Sequence, residues 1–162
     1  MEHLPTAKVL VIYDSMWEST QTMAEAIFEG AALPGVQAKL MHLRRTNLTR
    51  LAGEMLDAAA VAFGTSTLNN QMMPMAAAAL CYLSGLRPRN KFAVAFGSHG
   101  WGKGVMESVE ERFREMRWEI ICQPIRSKYR PSRAILDQCR EAGKMLAEKV
   151  LALNCGDLSN KK

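Results

Sequence analysis

Three short segments of the chain concentrate groups able to hold a small polar ligand. They read Asp14-Ser15-Met16-Trp17-Glu18-Ser19-Thr20, Gly64-Thr65-Ser66-Thr67-Leu68-Asn69-Asn70 and Gly97-Ser98-His99-Gly100-Trp101-Gly102. In the first, the hydroxyls of Ser15, Ser19 and Thr20 stand immediately before a helical pattern. Free backbone N–H groups at a helix start, together with the positive end of the helix dipole, make a seat for phosphate. The segment carries no basic residue, so it would grip a phosphate by hydrogen bonds rather than by an ion pair. Taken alone, the same hydroxyls also fit ordinary helix capping. The spacing matches neither GxxxxGK[ST] nor GxGxxG, which argues against triphosphate and dinucleotide ligands. In the third segment Gly100 and Gly102 allow close backbone approach, and Trp101 between them offers a flat ring. Stacking on an aromatic ligand contributes about 0.5–1.5 kcal/mol beyond buried area. The middle segment adds backbone and side-chain amides suited to the polar edge of a heterocycle.

The elements that must position these segments follow from the hydrophobic pattern. Residues 8–13 (KVLVIY), 58–63 (AAAVAF) and 91–96 (KFAVAF) are short apolar runs of the kind buried on both faces of a parallel sheet. Residues 36–43 form a further strand, and 119–127 an extended segment with a break at Pro124. Apolar positions recur at three- and four-residue steps over 20–32, predicting a helix with Ser19 or Thr20 as N-cap. Further helices are expected over 47–55, 74–86, 105–116 and 132–153. Strict alternation of five strands and five helices means right-handed crossovers and a parallel sheet covered on both faces. In such a sheet ligands sit outside the carboxyl ends of the strands, where all three segments fall.

A chain of 162 residues accommodates one domain, expected over 1–153, with 154–162 a frayed tail. Hydrophobic residues at 48% and charged residues at 23% are ordinary for a globular protein and exclude collagen-like, disordered and disulfide-scaffold classes. No apolar run reaches the roughly 18 residues of a membrane span, and the first residues lack a signal-peptide layout. The four cysteines, Cys81, Cys122, Cys139 and Cys155, form no CxxC pair and read as reduced thiols, with Cys81 and Cys122 structural. A cytoplasmic location is the resulting expectation. Net charge is +5, but the basic residues are scattered and no nucleic-acid-binding signature accompanies them.

A phosphate seat, a stacking ring and a polar-edge reader on neighbouring strand ends describe a flat mononucleotide, and FMN fits better than ATP. The same segments, YDSMWEST, GTSTLNN and AFGSHGWG, with GLRPRNK before the fourth strand, resemble the flavodoxin-like domain of flavodiiron proteins over essentially the whole chain. That resemblance implies an α/β three-layer sandwich with a five-stranded sheet in order 2-1-3-4-5, and non-covalent FMN. It implies that Ser15, Met16, Trp17, Glu18, Ser19 and Thr20 hold the phosphate. Thr65, Ser66, Thr67, Leu68 and Asn69 would border the ribityl chain and ring. Ser98, His99, Gly100, Trp101 and Gly102 would border the isoalloxazine, with Trp101 against it. Similar sequences carry glycine at the positions of Glu18 and Lys103, and proline at that of Ser66. A carboxylate near a phosphate weakens binding unless it points outward or pairs with Lys103.

Flavodiiron enzymes also carry a domain with two irons. His3, His42 and His99 are too few and too scattered for such a site, so no metal centre is expected here, and His42 reads as a strand-end residue. No side chain reads as a catalytic acid, base or nucleophile. The sequence therefore points to an electron carrier in which the flavin supplies the redox chemistry. An acidic redox protein, rubredoxin-like or di-iron, is the expected partner, and a homodimer is admitted. The alternatives are a detached flavodoxin subunit of an O2- or NO-reducing system and an NAD(P)H-dependent quinone reductase.

Overall fold

The computed structural model describes residues 6–101 and 105–159, with side chains through Cys155. Strand β1 (Thr6–Asp14) lies between β2 (Gln37–His42) and β3 (Ala58–Thr65), parallel to both. Beyond β3 comes β6 (Phe92–His99), again parallel. The fifth position is shared by β7 (Glu119–Ile120) along the first half of β6 and β8 (Ile125–Lys128) along its second half. The order β2-β1-β3-β6-β7/β8 is thus the expected 2-1-3-4-5 with its last strand divided. The division falls where Pro124 removes a ladder donor, although the Ile121 N–H still reaches Ala93 O at 3.1 Å.

Alternation along the central strands separates two cores. Leu10, Ile12, Val61, Phe63, Ala93 and Ala95 face α2 (Leu48–Asp57), α3 (Pro74–Leu86) and α4 (Met106–Glu115). Val9, Val11, Ala60, Ala62, Val94 and Phe96 face α1 (Ser19–Ala31) and α5 (Arg133–Ser159). Where α1 crosses α5, a Cβ on Gly143 would lie 2.0 Å from the Ile27 carbonyl oxygen, so the backbones meet only because the side chain is missing. Helix α5 continues to Ser159, past the end expected at residue 153. Cys139 is buried on α5, where desolvation pushes its thiol up to about 12, whereas Cys81, read as structural, lies exposed on α3.

Two local features differ from the sequence expectation. A hairpin of β4 (Thr67–Leu68) and β5 (Gln71–Met72) occupies the middle segment, turning through Asn69 (φ 50) and Asn70 (φ 58). Asparagine is the side-chain-bearing residue most at ease in this left-handed region, and each strand is too short to show periodicity. The N-cap of α1 is Glu18 (φ 62), not Ser19 or Thr20. The Thr20 hydroxyl is engaged elsewhere, as described below.

Helices α3 and α4 close on arginines in the left-handed region. At the end of α3, Arg87 (φ 49) donates its N–H to Leu83 O at 2.9 Å. After α4, Arg117 (φ 57) donates to Arg114 O at 3.0 Å and Trp118 to Phe113 O at 2.9 Å, the paired bonds of a Schellman turn. Glycine is usual in that place, and an L-residue there costs about 1–2 kcal/mol. Trp118 packs ahead of β7, stacked on Phe113 at 5.3 Å.

Glu54 on α2 ties the open edge of the sheet, bridging Lys8 of β1 at 2.5 Å and Lys39 of β2. The Lys39 and Lys8 ammonium groups hold its carboxyl down to about 2. A folded value below the unfolded one gives stability that is complete above the ordinary carboxylate range and is lost as pH falls toward 2. Thermal melts between pH 5 and 2 should show this loss, and Glu54→Gln should flatten it. An equally steep acid decline in that variant would show that the bridge has no such role.

Candidate functional site

The three segments meet at the carboxyl ends of β1, β3 and β6, and the sequence dictates how closely. A Cβ on Gly97 would stand 2.1 Å from the Thr65 carbonyl oxygen, so β6 can lie this near the end of β3 only with glycine. The Ser66 N–H donates to Asp14 O at 3.2 Å, joining the ends of β3 and β1. Thr20 Oγ1 then lies 2.8 Å from both Ser66 Oγ and Ser98 Oγ, which are 3.3 Å apart. This buried triangle of hydroxyls locks the start of α1 onto two strand ends.

Above the triangle opens a cavity of about 610 Å³. The first segment lines it with Met16, Trp17 and Ser19, and the hairpin with Ser66, Thr67, Leu68, Asn69 and Asn70. Ser98, His99, Gly100 and Trp101 line it from the end of β6. Trp17 is 82% and Trp101 88% exposed, values foreign to core tryptophans. Thr65 faces inward instead: its hydroxyl donates to Ser66 O at 2.9 Å and accepts the Met73 N–H at 3.1 Å, anchoring the hairpin. Ser15, Glu18 and Thr20 lie outside the lining; Gly102 and Lys103 fall outside the described residues. The Ser15 hydroxyl is nonetheless buried without a partner among the described residues, an orphan that a ligand could satisfy. Met73 fills core, and no methionine of the 72–75 run lines the cavity.

A fourth connection contributes residues that the sequence reading missed. Tyr129 and Arg130, just after β8, line the cavity. Tyr129 (φ 60) donates its N–H to His99 O at 2.8 Å, and its ring meets Trp101 edge-on at 6.3 Å. Gly100 faces that ring, where a Cβ would approach to 3.3 Å. The available signal was an aromatic–basic pair at a strand end, since the strand beside β6 must end on the same side of the sheet.

Behind the first segment, buried Asp14 accepts from Arg44 Nε at 3.0 Å, and His42 Nε2 lies 3.9 Å away. His42 stacks on Tyr13 at 4.9 Å, and burial lowers its pKa, as suits a strand-end residue. Among the described residues no group of three or more His, Cys, Asp or Glu side chains could hold a metal ion. No described helix is long and apolar enough to cross a membrane.

A parallel sheet between two helical layers, with an aromatic-rimmed cleft on its carboxyl edge, defines the flavodoxin-like class. The flavodoxin family model matches residues 11–143, and the chain belongs to that family, which implies a flavin site. A nitric oxide reductase of Moorella thermoacetica is 37% identical over 145 residues, covering 89% of this chain and 36% of that protein. The crystal structure of the flavodiiron protein from Giardia intestinalis superposes with a TM-score of 0.86 at 35% identity, over 93% of this chain and 37% of that one. A flavodoxin from the domain Archaea gives a TM-score of 0.76 at 32% identity and is covered over 98% of its length. The resemblance to flavodiiron proteins is thus shown, and the chain spans little more than a third of the longer relatives it matches.

The triangle predicts unequal costs of removing its members. Ser66→Ala leaves the Thr20–Ser98 bond in place and should destabilise by about 1 kcal/mol. Thr20→Val deprives both serines of their shorter bond and should cost about 2 kcal/mol or more. Urea titration measures both; equal losses would mean that Thr20 is not the shared member.

Proposed function

We propose that the chain binds FMN non-covalently and passes electrons between redox partners. The observation that carries this reading is the cavity itself, which sets two exposed indoles above a floor of hydroxyls. Segment 15–20 holds the phosphate through backbone N–H groups and the hydroxyls of Ser15 and Ser19. Residues 66–69 border the ribityl chain and the ring, and residues 98–101 the isoalloxazine, with Trp101 against it. The bound flavin supplies the redox chemistry; the chain binds it, orients it and shields one side from water. No basic group is needed at the phosphate, because hydrogen bonds to a charged acceptor contribute about 1.5–3 kcal/mol each.

Electrons leave through the exposed edge to a docked protein. Arg130 on the cavity wall and Lys128 beside it favour an acidic partner, a rubredoxin-like or di-iron protein in the cytoplasm. The uncovered length of the relatives supports a second reading, in which the domain serves a metal-bearing O2- or NO-reducing unit on the same or another polypeptide. Co-purification of such a unit would favour that second reading.

Calorimetry of flavin-free protein with FMN and with riboflavin tests the site. FMN should bind one to one, with riboflavin at least about 100-fold weaker for want of the phosphate bonds. Glu18→Gln removes a negative charge from the segment and should tighten FMN about fivefold while leaving riboflavin unchanged. Equal affinity for the two flavins would remove the phosphate assignment, and no uptake of either would remove the function.

A further inference from the structure

The segment Gly85-Leu86-Arg87-Pro88-Arg89-Asn90-Lys91 has no part in the flavin site, lying at the opposite end of β6, roughly 20 Å away by strand rise. There a second cavity of about 540 Å³ opens between the ends of α3 and α4. Arg87, Arg89 and Arg117 line it. Among the described residues no acidic side chain pairs with any of these three arginines, while Glu115, also in the lining, is held by Arg112 at 3.0 Å. Ser84 presents a buried hydroxyl with no partner among the described residues. The two arginine-bearing turns are tied together, because the Trp118 indole N–H donates to Pro88 O at 2.6 Å.

Basic residues at helix ends commonly offset the negative end of the helix dipole. That role needs charge near the last turn, but it does not need arginine at the two positions where glycine would be cheaper. Arg87 and Arg117 both stand in the left-handed region, and both line the same cavity. Strain kept at two sites that converge on unpaired guanidinium groups indicates a use for those groups. Three guanidinium forks match the oxygens of linked phosphates, each able to take two. The lining has no aromatic ring on which a base could stack.

We propose that this cavity binds a compact oligophosphate, a di- or triphosphate chain, through Arg87, Arg89 and Arg117. The site is independent of the flavin and remains if the FMN assignment fails. Calorimetry at 0.15 M salt, on the protein with FMN added and in parallel without it, uses sodium tripolyphosphate as the probe. Binding is expected at one to one, with orthophosphate and citrate at least about tenfold weaker and the visible flavin spectrum unchanged. ATP should match tripolyphosphate, because only the phosphates are read; a much tighter ATP would contradict the lack of a base seat. Arg89→Gln should weaken binding about tenfold or more without altering the melting midpoint. Arg87→Gly and Arg117→Gly should do the same while raising the midpoint by about 2–4 °C, since glycine relieves the backbone. Four results would overturn the site: no heat with tripolyphosphate, displacement of flavin by it, an equal loss in the distant control Arg133→Gln, or glycine variants that melt lower yet bind normally. The last would show that the arginines serve only the helix ends.

Discussion

Parallel strands covered on both faces leave the chain no place for polar groups except the strand ends. Every residue of β3 is buried, as is β1 from Lys8 to Asp14, so the helices can close over them only if both faces stay apolar. The hydroxyls, amides and exposed rings are therefore confined to the connections. At the carboxyl edge those connections are further constrained by register. Asp14 pairs with Thr65 across β1 and β3, and Gly64 with Phe96 across β3 and β6, so these strands finish almost level. Level endings bring Thr20, Ser66 and Ser98 within hydrogen-bond reach, and the triangle converts three loops into one rigid floor. An open sheet with staggered ends would have the same residues and no site.

Electrostatics at that floor are arranged by what is kept away. Hydroxyls and backbone N–H groups hold no formal charge, so the cavity costs little desolvation when no ligand is present. The acidic groups nearby are held apart from it: Asp14 is engaged by Arg44 behind the first segment, and Glu18 stays outside the lining. An anion seated by neutral donors is bound by geometry more than by net charge. On the proposed reading, that leaves the surface charge around the mouth free to select a protein partner. Arg130, and Lys128 lying 5.7 Å from the Tyr129 ring centroid, supply positive charge there.

The apolar runs made the strands and the three main loops legible, because a doubly buried strand has few other sequence signatures; the order of the strands came from the resemblance to flavodiiron proteins. What stayed hidden had short-range or long-range causes. The β4–β5 hairpin is too brief for periodicity, and its turn uses two asparagines instead of the more telling Asn-Gly. Tyr129 and Arg130 belong to the site only because β8 pairs with the second half of β6, a fact of topology that spacing does not carry. Thr65 and Thr20 were legible as polar residues of the right loops, but not as inward-facing anchors. Their direction is settled by partners at Met73, Ser66 and Ser98. Capping propensity placed Ser19 or Thr20 at the start of α1; the triangle takes the Thr20 hydroxyl first, and the cap passes to Glu18.

The distribution of backbone strain separates scaffold from function in the same way. Seven described residues other than glycine have positive φ. Asn69, Asn70 and Tyr129 line the aromatic-rimmed cavity, and Arg87 and Arg117 the arginine-lined one, while Glu18 and Asn90 lie outside both linings. Both helical layers and the sheet between them are free of it. A fold can tolerate about 1–2 kcal/mol at such positions only where the surrounding structure holds the backbone in place, and it has no reason to retain the cost where glycine would serve. Asparagine at a two-residue turn is a near-substitute for glycine and needs little explanation. Arginine is not, and the strain at Arg87 and Arg117 accords with the use proposed for their side chains. By this criterion Arg87 and Arg117 stand apart from the scaffold as clearly as the turns that line the aromatic-rimmed cavity.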